Sequence, residues 1–346
     1  GAKGLVNGVT CGAGMPYKLS ELAAHHQVFY YPIISSARAF RALWKRAYSK
    51  ESAWLGGVVY EDPWLAGGHN GLSNAEDPRA PQDPYPRCVE LRKVMRECGI
   101  SDEVPIVMAG GVWRLDEGTH WPDNPELGTV VFQFGTRPLL TVESPIPEGW
   151  KQRLMTLDEG DILLHQFSPT GFYSSAVRNP FLRALEARSE RQIAFSAVET
   201  VDHPLLLDVG VGRKKYYVSR DALLKARGWA GEGYTEALKT PDDTLVFVTP
   251  ADRDVIRQDQ SDCMGCLSHC GFSAWKDYDT YTTGKLADPR SFCIQKTLQD
   301  IAHGGDTEQN LMFGGHSAYR FKQDPFYSNG FVPTVKQLVD RILTGA

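Results

Sequence analysis

Hydrophobic residues in the first 145 positions alternate between short unbroken runs and sets spaced for a helix. Leu5 to Thr10, Val28 to Ile34, Trp54 to Tyr60, Val104 to Ala109 and Thr129 to Phe134 are apolar runs bounded by small or polar residues, the pattern of buried strands. Between them, Ala37, Phe40, Leu43, Trp44, Ala47 and Tyr48 recur at helical spacing, with Arg38, Arg41, Lys45 and Arg46 on the other faces. Leu91, Val94, Met95 and Cys98 mark a further helix closed by Gly99. Apolar strands separated by helices predict an α/β fold, a parallel sheet with helices outside. Several strands run into small residues: Cys11-Gly12-Ala13-Gly14, Ser35-Ser36, Gly110-Gly111 and Gly135-Thr136-Arg137. Such sheets hold ligands at the carboxyl ends of their strands, so a site is expected there.

Beyond residue 145 the pattern changes. Ser168 to Ser175 is a polar loop leading to a helix near Phe181 to Ala187. Short strand candidates at Leu205 to Val209, Lys215 to Ser219 and Thr244 to Val248 surround a helical stretch at Asp221 to Arg227. This predicts a main domain over 1–197, an inserted α+β lobe over 198–257, a cysteine-rich segment over 258–300 and a return to the first domain over 301–346. The return closes on a helical stripe of Val335, Leu338, Val339, Ile342 and Leu343 after Pro333, which suits a first-turn position.

Charge excludes some partners. The 37 basic and 42 acidic residues of the 346 are spread without blocks, so no footprint for nucleic acid appears. No apolar stretch approaches the roughly 20 residues of a membrane helix. Seven cysteines, an odd number without a secretory signal, argue for a reducing cytoplasm rather than a disulfide framework. Cys11, Cys88 and Cys98 read as small buried hydrophobes.

The other four are spaced C-x2-C-x3-C-x22-C, as Cys263, Cys266, Cys270 and Cys293. Three clustered thiols and one remote suit a [4Fe–4S] cluster, with a four-cysteine zinc site as the alternative. His269, His303 and His316 read as non-ligands, although Gly314-Gly315-His316 repeats a triplet found at Gly67-Gly68-His69. The strand ends Ala109-Gly110-Gly111 and Gln133-Phe134-Gly135-Thr136 offer backbone N–H groups to a phosphate, unless the glycines merely turn the chain. His69, flanked by glycines beyond a strand, is either a packed residue or a general acid or base.

Taken together, Cys11 to Pro16, Pro32 to Arg38, Ala66 to His69, Pro105 to Gly111 and Gln133 to Arg137 resemble successive motifs of the nitronate monooxygenase (2-nitropropane dioxygenase-like) flavoproteins. The match continues through Ser168 to Asn179 and Phe331 to Val335. The resemblance implies a (β/α)8 TIM barrel holding FMN non-covalently, its phosphate between Gly110-Gly111 and Gly135-Thr136, with Gly67 and Gly68 nearby and His69 at the position of the catalytic histidine. The same superfamily includes FMN-dependent enoyl-acyl-carrier-protein reductases and NAD(P)H:quinone reductases. The expected reaction is therefore oxidation of nitronates or nitroalkanes, or electron transfer from NAD(P)H or an iron–sulfur centre to a small substrate. Counting back from the phosphate-binding pair makes Leu5 to Thr10 the fourth barrel strand, so this chain supplies strands 4–8. The first three, about 100 residues at roughly 30 to 40 per βα unit, are expected before Gly1 or on another chain. An electron-transfer partner and a homo-oligomer are further expectations. A reading of another class stays open: a non-catalytic, zinc-stabilised scaffold subunit that completes a barrel with a partner chain.

Overall fold

A computed structural model describes residues 4–12, 14–118, 120–266, 269–274 and 286–345. Ala13, in the first glycine-rich strand end, and residues 267, 268 and 275–285, in the expected cysteine-rich segment, lie outside the described residues. Two compact units emerge: residues up to Leu164 with Phe172–Val177 and those from Met312 on, and His165–Gly171 with Arg178–Leu311.

The first unit opens with β1 (Gly8–Cys11), α1 (Leu19–His25), β2 (Phe29–Ile34), α2 (Ala37–Arg46), β3 (Val58–Glu61), β4 (Gly68–His69), α3 (Pro84–Glu97), β5 (Ile106–Ala109), β6 (Val130–Gln133) and α4 (Glu148–Leu154). Strands β1, β2, β3, β5 and β6 pair in that order, all parallel, as the apolar runs predict. Among the described residues this sheet is open, with β1 and β6 at its edges. It is not seen to close into a barrel. Tyr30, Phe40, Leu43, Tyr60, Leu91, Met95 and Ile106 are fully buried in one core, so the apolar stripes of α2 and α3 pack with the strands.

Helix ends follow local chemistry. Ser36 Oγ accepts from Ala39 N at the start of α2, and Asp83 caps α3 ahead of Pro84. The expected strand from Trp54 begins only at Val58, because Tyr48–Trp54 winds into a 3-10 helix and Gly56-Gly57 follows. Arg92 is fully buried in α3; its guanidinium donates to Val104 O and Thr129 O, both at 3.0 Å, and to Leu127 O. It thereby ties the entries of β5 and β6 to the helix.

Next come β7 (Ile162–His165) and β8 (Ser174–Val177), which form a three-stranded sheet with β4 in the order β4-β8-β7. The second unit contains α5 (Pro180–Glu190), β9 (Gln192–Ala194), β10 (Leu205–Leu206), β11 (Tyr217–Val218), α6 (Arg220–Gly231), β12 (Glu236–Lys239), β13 (Thr244–Val248), α7 (Pro250–Ser261) and α8 (Ile294–Ala302). Its sheet is antiparallel, β12-β13-β9, over a core of Ile193, Leu207, Val218, Leu223, Leu245 and Phe247. The expected strands at 205–209 and 215–219 shrink to a two-residue pair. Helices α7 and α8 were not visible in the pattern: Ile256 is the sole buried residue of α7, and Thr297 and Ile301 the buried pair of α8.

The chain ends with α9 (Arg320–Gln323) and α10 (Val335–Thr344). Pro333 precedes α10 rather than entering its first turn, because Thr334 forms a reciprocal capping box with Gln337.

Candidate functional site

The register of the parallel sheet aligns Glu61, Ala109 and Gln133 as neighbours at the carboxyl ends of β3, β5 and β6. Beyond them lies a cleft of about 250 Å³. Of the residues singled out in the sequence, Gly67, Gly68, Ala109, Gly110, Gly111, Gln133, Gly135 and Thr136 line it. Phe134 and His69 do not. The His69 ring lies 5.7 Å from that of Phe313, which does line the cleft, and β4 pairs His69 with Ser174 of β8.

Local contacts explain the shape. After β3 the chain turns on Asp62, whose Oδ1 accepts from Trp64 N and Leu65 N, both at 2.9 Å. Gly110 and Gly111 both adopt left-handed backbone, with φ of +86° and +76°. A Cβ on Gly110 would lie 3.0 Å from the Asp62 backbone, and one on Gly111 2.6 Å from Leu65 Cδ1. Only glycine meets both demands, so the backbone of this turn is left bare toward the cleft. Among the described residues, no Lys or Arg lines the cleft. An anion there would be held by backbone N–H groups of the glycine turns and the Thr136 hydroxyl, a donor set that fits a phosphoryl group.

The second Gly-Gly-His triplet completes the wall. Gly315 N donates to Thr136 Oγ1 (3.0 Å), His316 N to Leu65 O (3.0 Å) and Ser317 Oγ to Gly111 O (3.1 Å). His316 Nε2 meets Ser175 Oγ at 3.3 Å. The packing is tight enough that a Cβ on Gly67 would lie 2.6 Å from Gly315 N. Arg137, beside these glycines in sequence, does not line the cleft. Its guanidinium is buried, donating to Trp113 O (2.7 Å) and Tyr327 Oη (3.1 Å) and lying over the Trp113 ring at 4.9 Å.

Three titratable groups have shifted equilibria. Burial, reinforced by the charge of Asp62, pushes the Glu61 carboxyl up from 4.5 to about 7. Burial lowers His316 from 6.5 to about 4 and moves His69 in the same direction. Both imidazoles are thus neutral near pH 7, while Glu61 exchanges its proton there. Glu61, Phe313 and Ser317 were missed by sequence reasoning, which singled out only Gly314-Gly315-His316 in that last segment. The only signals were a carboxylate at a strand end and the repeated triplet.

The four clustered cysteines are also brought together. Cys263, Cys266, Cys270 and Cys293 line one cavity of about 340 Å³ in the second unit. Burial and then the neighbouring thiols Cys293, Cys270 and Cys263 raise the pKa of Cys266. They share this cavity although, among the described residues, no three His, Cys, Asp or Glu side chains are grouped to hold a single metal ion, and all seven cysteines are free of disulfides. Cys88 lies in the core of the first unit.

Fold and cleft define an α/β protein with a cleft at the carboxyl edge of a parallel sheet. No family model and no curated protein matches the chain. Solved structures similar to it include FabK from Thermotoga maritima, with 15% identity and TM-score 0.49 over 97% of this chain and 66% of that one. The chain therefore spans just under two thirds of that FabK. Others are a nitroalkane oxidase from Streptomyces ansochromogenes (21% identity, TM-score 0.39, 52% of this chain, 48% of that) and the enoyl reductase domain of MlnA from Bacillus amyloliquefaciens (10%, 0.45, 93% and 76%). All these TM-scores lie below 0.5 and the identities below 25%, so the functional argument rests on the chain's own residues. No described helix is long and apolar enough to cross a membrane.

Proposed function

We propose that the chain is a flavin-dependent oxidoreductase of the cytoplasm whose cleft holds FMN by its phosphate end. The observation that carries this reading is the bare turn at Gly110-Gly111 beside Gly135 and Thr136, with proton-exchanging groups at the same end of the sheet. When bound, FMN would supply hydride- and electron-transfer chemistry at its ring system. Gly110, Gly111, Gly135 and Thr136 would hold the phosphate, and Phe313 with Gly314 and Gly315 would screen one side of the cleft from water. His69, neutral because it is half buried, takes the proton of a nitroalkane or orients its nitronate. His316, held by Ser175, is a positioning residue for the glycine-rich wall.

Glu61 favours a second reading, reduction of an enoyl thioester or quinone with NAD(P)H as donor. Such a reaction consumes a proton at the site, and a carboxyl titrating at about 7 stores one.

Reconstitution with FMN followed by anaerobic mixing with NADH, NADPH or a nitronate tests the reading. Retained FMN whose visible bands bleach with one of these supports it and selects the reaction. A colourless protein that binds no flavin and carries one zinc would refute it in favour of a scaffold subunit.

A further inference from the structure

We propose that the cavity bounded by Cys263, Cys266, Cys270 and Cys293 is the site of a [4Fe–4S] cluster held by those four thiolates. This inference is independent of the flavin reading, because every residue it uses lies in the second unit and none lines the cleft.

Four features of the cavity converge. All four sulfur-bearing side chains line the same space, although Cys293 is separated from Cys270 by 22 intervening residues. The space is about 340 Å³. A tetrahedral zinc with bonds of about 2.3 Å draws its four sulfurs to within roughly 4 Å of one another, whereas among the described residues no three such side chains are grouped to hold a single metal ion. A cluster places a body of iron and sulfide between its ligands and spreads them around a cavity.

The loop carrying the first two thiols is shaped to present sulfur. Gly265 adopts left-handed backbone (φ +66°) between Cys263 and Cys266, and its N–H donates to Cys263 Sγ at 3.4 Å. Such N–H···S bonds stabilise the negative charge of a thiolate-ligated cluster. Ser273 Oγ lies 3.2 Å from the same sulfur.

The last thiol sits at the positive end of a helix. Cys293 is the N-cap of the nine-residue α8, its side chain makes no capping hydrogen bond, and Ile294, Gln295 and Lys296 of the first turn line the cavity. A ligated Cys293 therefore lies where first-turn N–H groups and the helix dipole favour negative charge. Behind the site, Cys270 and Cys293 pack against Val246, Val248, Ile256 and Phe272, an apolar backing of the kind that protects a cluster from water.

The test is anaerobic reconstitution of the whole chain with ferrous iron and sulfide, run beside a parallel incubation with zinc chloride. The expected result is about four iron and four labile sulfide per chain, broad visible absorption that dithionite bleaches, and an electron paramagnetic resonance signal from the reduced form. Cys293→Ala should lose the cluster at least tenfold, whereas Cys98→Ala, in the first unit, should retain it. Far-UV circular dichroism distinguishes a lost ligand from a lost fold, and the wild-type iron-to-sulfide ratio decides even if the variant unfolds. Uptake of a single zinc without labile sulfide overturns the proposal, as does failure to take up either metal.

Discussion

Glu61 offers the sharpest check on the electrostatics of the cleft. Moving its carboxyl from 4.5 to about 7 means that ionising it in the folded chain costs about 3 kcal/mol, at about 1.4 kcal/mol per tenfold. Below pH 4.5 the group is protonated in both states and contributes no ionisation penalty. Between 4.5 and about 7 the unfolded chain releases the proton while the folded chain keeps it, so stability falls as pH rises, by up to about 1.4 kcal/mol per pH unit. Above 7 the full penalty is present. Glu61→Gln preserves shape and removes the titration. Urea unfolding of flavin-free wild type and variant, followed from pH 4 to 8 by the fluorescence of the buried Trp64, Trp113 and Trp121 of the first unit, should show the variant gaining on the wild type as pH rises. His316, shifted down to about 4, gives the opposite slope, with stability lost as pH falls from 6.5 through 4. That contribution is common to both proteins and cancels in the difference. Stability profiles that run parallel across this range would refute the argument that burial holds the Glu61 proton.

Replacing His69 by Asn should lower turnover about 10²- to 10⁴-fold while FMN affinity, read by flavin fluorescence, stays within a few fold; unchanged turnover removes His69 from the chemistry. Gly67→Ala places a methyl 2.6 Å from Gly315 N and should cost about 1–3 kcal/mol and weaken FMN binding, whereas Gly228→Ala, in α6 with nothing within 4 Å, should leave both unharmed. Wild-type affinity and melting temperature in Gly67→Ala would contradict the tight seating of the 313–317 segment. Arg137→Ala leaves the Trp113 carbonyl and the Tyr327 hydroxyl without their buried donor and should destabilise the first unit by about 1–3 kcal/mol, measured by chemical denaturation.

The sequence by itself determined the parallel strands, because strands buried on both faces must be apolar throughout, and it located the turns at their carboxyl ends that line the cleft, because bare turns demand glycine. It also named the four cysteines, whose spacing is a local property. Only tertiary structure decided which of these residues meet. Gly315 reaches Thr136 across 179 positions, a closeness that no local pattern encodes. Arg92 and Arg137 look like surface charges in the sequence and are buried, since their donors find backbone carbonyls and a tyrosine supplied by distant segments. Glu61 is an ordinary carboxylate in the sequence and acquires its neutral-range proton only when folding removes it from water beside Asp62. Proton affinity and convergence depend on neighbours distant in the chain, whereas strand runs and glycine turns depend on residues next to one another.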